Sequence, residues 1–115
     1  ERTAMASYIS KKMTSPTQLG TTASTVYTVG TGVTATVKEI LVANVSASSS
    51  SVSIYFVNSG GIASTSNLMF PAVAISANSS VAFDVNQVLD AGSTIQALAG
   101  NSSAVNIMIS GFEAS

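Results

Sequence analysis

The chain contains no cysteine, no histidine and no tryptophan. The first absence excludes disulfides and thiolate metal sites. The second removes the commonest general base and the commonest metal ligand. The third removes the aromatic on which sugars stack most readily. Charge is scarce as well: 8% of the 115 residues, four basic and five acidic, for a net charge of −1, where a globular domain usually carries about a quarter. Nucleic-acid binding by phosphate neutralisation therefore has almost nothing to work with. Mean hydropathy is high at +0.46, yet no apolar run reaches the roughly 18 residues of a membrane helix. No nucleic acid, membrane or cofactor is expected as a partner.

What the chain does have is β-branched and small residues in short alternating runs. The organising stretch is Thr34–Val57, two apolar runs on either side of the serine-rich segment Ser46–Ser51. In the second run Val52, Ile54 and Phe56 fall on one face, the period-2 signature of a strand with one face on a core. The first run, Val37–Val45, is continuous enough to predict a central strand covered on both sides. The two are expected to pair as a long antiparallel hairpin.

Read in order, residues 1–4 precede Met5 and look like a remnant of an expression tag, and no apolar signal-peptide core follows. Residues 5–19 read as a weakly patterned N-terminal arm carrying Lys11, Lys12 and Pro16. It is expected to add little to monomer stability and more to assembly. Residues 20–115 read as one β-domain, large enough to bury roughly two-thirds of its unfolded surface. Its strands are Thr25–Val29, the expected hairpin, a short piece near Asn67–Phe70 broken by Pro71, Val73–Ile75, Ser80–Val85, and Thr94–Ala99 closing a hairpin onto Ala104–Ser110. Turn formers separate them at Gly30–Gly32, Asn58–Gly61, Ala77–Ser79 and Asp90–Gly92. Seven to eight short strands and almost no helix predict an all-β, single antiparallel β-sandwich of jelly-roll or immunoglobulin-like type.

Chemistry is hard to assemble from these residues. Without histidine, a nucleophilic serine would need Lys11, Lys12 or Lys38 as its base. Lys38 beside Glu39 reads more simply as a surface charge pair. Carboxylates for glycoside hydrolysis could come only from Glu1, Glu39, Asp84, Asp90 or Glu113. Asp84 and Asp90 flank an Asn-Gln turn, where carboxylates usually serve as turn residues, and no loop motif supports calcium there. Asn44, Asn78 and Asn101 match the glycosylation pattern by chance in a Ser/Asn-rich chain. Tyr8, Tyr27 and Tyr55 are the tyrosines available for sugar stacking. The threonines between Thr21 and Thr36 lack the regular repeat of an ice-binding lattice. The expectation is a protein that is not an enzyme.

The order VKEILVANVS, SVSIYFVNSGG, AISANSSVAFDVNQVLDAGSTIQALAG and VNIMISGFE resembles that of small tailed-bacteriophage virion structural proteins, found among head-decoration and tail- or fibre-associated components. The likeness covers about Ser7–Glu113. Its best-matching pieces, Asn86–Ile95 and Gly111–Glu113, are turn and core residues that imply a fold and a context. The resemblance implies a virion location and a role in packing, with a homotrimer by analogy with virion symmetry and other virion proteins as partners. The alternative is a host-surface polysaccharide-recognition module of a tail or fibre. Charge poverty independently points to self-association that depends weakly on salt. The candidate interface residues are Lys11, Lys12, Leu98 and Met108.

Overall fold

The computed structural model describes residues 8–114. Eight strands form two four-stranded antiparallel sheets. They are β1 (Tyr8–Gln18), β2 (Ser24–Thr28), β3 (Thr34–Asn44), β4 (Ser50–Val57), β5 (Leu68–Ile75), β6 (Ser79–Leu89), β7 (Thr94–Ala99) and β8 (Val105–Ala114), with one 3-10 turn at Thr65–Asn67. The first sheet has the order β1-β8-β3-β6 and the second β2-β7-β4-β5. Strand β1 pairs with β8, β2 with β7, β3 with β6 and β4 with β5. The chain is thus one long antiparallel ribbon, folded at β4–β5 and rolled into two layers. That nesting is the jelly roll, and it selects between the two sandwich types expected above.

Alternation places the core. Val37, Ile40, Val42, Val105, Ile107 and Ile109 of the first sheet face Val52, Ile54, Ile95, Ala97 and Ala99 of the second, all essentially excluded from solvent. Strict period-2 alternation turns Ile95, Ala97 and Ala99 of β7 and Val105, Ile107 and Ile109 of β8 inward.

The expected hairpins are not formed. Strands β3 and β4 lie in different sheets, as do β7 and β8, and only β4 and β5 are consecutive strands of one sheet. Alternation cannot distinguish a hairpin from an arch between layers, because both turn one face inward. Asn44 builds the first arch. Its buried side chain donates to Ser48 O at 2.8 Å and Ile75 O at 3.0 Å, while its Oδ1 accepts from the Ser46 backbone N at 3.0 Å and Ser46 Oγ at 2.7 Å. Strand β3 is central but not covered on both sides: Glu39 and Leu41 are exposed on its outer face.

Three further expectations change. Residues 8–18 are not a detached arm but an edge strand, in register with β8 from Tyr8↔Ala114 to Gln18↔Asn106. Two register shifts, at Lys12/Thr14 and Thr14/Thr17, scramble its alternation. Met13 and Thr14 are buried, and Thr14 Oγ1 donates at 2.8 Å to the Val26 carbonyl across the sandwich. Pro16 is tolerated because an edge strand has no outer neighbour to receive its missing N–H. Pro71 likewise does not break β5, which runs through it along the edge of the second sheet, with Ala72 at φ 42°. Strand β6 continues past Val85 to Leu89 across a bulge at Asn86, whose φ is 52°.

Candidate functional site

The outward face of the first sheet brings together three of the seven large apolar side chains that stand exposed among the described residues, Leu41, Val88 and Phe112. Register fixes its layout as four rows running across β1, β8, β3 and β6. One row is Ser10, Phe112, Thr36 and Val88. The next is Lys12, Ser110, Glu39 and Asp84. Beyond it lie Met108, Leu41 and Ala82, with Pro16 of the bulged β1 beside them. The last is Gln18, Asn106, Ala43 and Ser80.

The third of these rows is apolar throughout, and the first carries two large apolar side chains, Phe112 and Val88, beside Ser10 and Thr36. Val88 is 62% exposed, Leu41 39% and Phe112 37%, and Met108 is half-buried between its neighbours. Shallow depressions lie beside these side chains. One of about 430 Å³ touches Lys12, Lys38, Ser110 and Phe112, and one of about 210 Å³ touches Pro16, Leu41 and Met108.

The row between them is charged. Strand β3 carries one more residue than β8 between the pairs Val37↔Gly111 and Glu39↔Ser110, so Lys38 is a bulge residue and both it and Glu39 are exposed. A side chain on Gly111 would meet the Thr36 carbonyl oxygen at 2.1 Å. Glycine is what lets β8 approach β3 at this bulge, which gives the Gly-x-Glu ending a physical reason.

Seven charged residues fall within 8–114: Lys11, Lys12, Lys38, Glu39, Asp84, Asp90 and Glu113. Four of them, Lys12, Lys38, Glu39 and Asp84, stand in or beside that single row. The one ion pair among the described residues is elsewhere, with Lys11 Nζ donating to Glu113 Oε1 at 3.2 Å. Glu113 Oε2 accepts the hydroxyl of buried Tyr27, joining β8 to β2 in the opposite sheet. Burial, reinforced by the Glu113 carboxylate, keeps the Tyr27 hydroxyl protonated well above the ordinary tyrosine range. The Tyr27 hydrogen bond, with help from Lys11 and against a smaller opposing effect of burial, holds Glu113 below the usual carboxylate range.

The four candidate interface residues therefore separate. Lys12 and Met108 share the outward face of the first sheet. Lys11 is tied to Glu113. Leu98 lies half-buried on the outer face of the second sheet, opposite Ser53. The row of four charges is not visible in the sequence, because its members come from three strands brought together only by register.

A second feature lies where β5 and β6 leave the flank of the sandwich open. Phe70 packs against Phe83 at 4.7 Å between ring centres and edge-on to Phe56 at 6.4 Å. A cleft of about 310 Å³ there is lined by Phe56, Met69, Phe70, Asp84, Val85 and Gln87. No group of three or more metal-ligating side chains occurs among the described residues.

No family model matches the chain, and no curated protein matches it. Among solved structures, one from Bacillus endospore appendages, which form a novel family of disulfide-linked pili, superposes with a TM-score of 0.59. It covers 96% of this chain and 89% of that one at 16% identity. At that identity the likeness establishes the fold, and the two chains share the β-sandwich.

Proposed function

We propose that this chain is a non-enzymatic structural subunit whose copies pack against one another in a larger particle or filament. The observation that carries this reading is the outward face of the first sheet, where Phe112, Val88, Leu41 and Met108 stand exposed or half-exposed. Apolar side chains exposed together on one sheet face and rimmed by polar ones mark a candidate contact surface. The shared fold with a pilus protein is compatible with it. Without cysteine, these 115 residues cannot be cross-linked to one another by disulfides. The finer form of the proposal is a bacteriophage virion component, three-fold clustered on a capsid or tail surface, and it rests on the resemblance of residues 7–113 to that family.

Light scattering and negative-stain microscopy across a concentration series test the reading. Oligomers or ordered polymers are expected at micromolar concentration, and a monomer at every concentration up to hundreds of micromolar would overturn it. Copy-number mass spectrometry of purified particles tests the virion form. Polysaccharide recognition remains a second reading because of the cleft beside Phe56 and Phe70, where an apolar wall and the polar Asp84 and Gln87 converge. Specific retention on a glycan array, lost on changing Asp84 to Ala, would favour it.

A further inference from the structure

We infer that the outward face of the first sheet is a self-complementary contact, docking on the same face of a second copy across a two-fold axis parallel to the strands. The inference rests on the self-association proposed above and names the surface that performs it. The charged row is polarised: Lys12 stands on β1 at one edge of the sheet and Asp84 on β6 at the other, with Lys38 and Glu39 on β3 between them. Glu39 and Asp84 are cross-strand partners, and like charges placed opposite each other repel.

A two-fold axis along the strands reverses the strand order of the facing sheet and keeps each row against its own kind. Lys12 of each copy then meets Asp84 of the other, and Glu39 lies over the partner's Ser110 rather than over another carboxylate. The adjoining row is matched by the same operation, with Met108 falling on the partner's Leu41. Every contact occurs twice, as an isologous interface requires.

Four strands about 4.8 Å apart and four outward rows about 6.8 Å apart outline roughly 400–500 Å² per copy. That area is below a standard stable interface, so the pair by itself is a weak one. A two-fold contact does not close a three-fold ring, so this face joins neighbouring units rather than the members of one trimer.

The full chain carrying K12D or D84K, each an exposed position, tests the geometry by sedimentation velocity over a concentration series. Each single variant places two like-charged pairs across the dyad and is expected to weaken pairing by about tenfold or more. An equimolar mixture of the two variants places opposite charges at both sites and is expected to restore pairing to near the parental level. Misfolded variants could not rescue each other in this way.

If the parental chain self-associates while neither variant weakens it, or if the mixture shows no rescue, the two-fold contact is wrong and the structural-subunit reading stands. A parental chain that never associates removes both.

Discussion

At the scale of the residue, the most consequential side chains are those that close the ends of the sandwich. Asn44 satisfies two carbonyls and accepts from Ser46 while buried. Asn44→Ala should leave those carbonyls without their partner and lower stability by about 2–3 kcal/mol, read as a shift of the urea midpoint at unchanged slope. Tyr27 and Glu113 predict a pH signature. The lowered Glu113 contributes stability that is present above its unfolded value of about 4.3 and is lost as pH falls through its folded value. The raised Tyr27 contributes stability that is present below its unfolded value of about 10 and is lost as pH rises beyond it. The gap in stability between the parental chain and Tyr27→Phe should therefore be widest near neutral pH and narrow at both extremes. Parallel stability curves across the pH range would show that the pair is not coupled. In the sequence Asn44 reads only as a chance glycosylation match, and its role in the arch is not legible there, because its partner Ile75 lies thirty-one residues away.

At the scale of the element, β1 matters most. It was the piece least legible in the sequence, since Lys11, Lys12, Pro16 and two register shifts break the alternation that identified β6, β7 and β8. Its burial of Met13 and the Thr14–Val26 hydrogen bond are worth several kcal/mol together, a large part of what a domain this size has. Deleting residues 1–17 should thus abolish cooperative unfolding or lower the melting temperature severely, and it would expose β8 as a new edge. A deletion variant that melts within a few degrees of the full chain would show that β1 is dispensable. The same limits explain the arches: the serine-rich connection 45–49 is readable as a loop, but whether it turns within a sheet or between sheets depends on β8 and β6 flanking β3, which no local pattern encodes. Core membership was legible because it needs only period 2, whereas neighbour identity needs the whole roll.

At the scale of the whole molecule, charge poverty and the outward apolar side chains belong together. With few charges to screen, salt should change self-association only modestly, by far less than a change of temperature, which alters apolar burial directly. Light scattering in low and high salt checks this, and dissociation on modest addition of salt would contradict it. Met108→Lys should disperse the assembly while leaving the monomer folded, because Met108 stands on the outer side of β8 and not in the core.

The nesting of strands also has a bearing on the chain as a closed curve. Tyr8 and Ala114 are cross-strand partners, so the two ends of the described fold leave it side by side. Joining them through a few residues would make a circular protein in which the most distant pairing in the sequence becomes a local one. In the chain-entropy picture, closing a loop of about 100 residues removes up to roughly 4.7 kcal/mol of freedom from the unfolded state. A backbone-cyclised form should unfold at a markedly higher temperature than its linear parent. It should also tolerate being reopened at the exposed turn Asn58–Gly61, giving a permutant whose outward first-sheet face is untouched and whose new ends emerge at a different place on the surface.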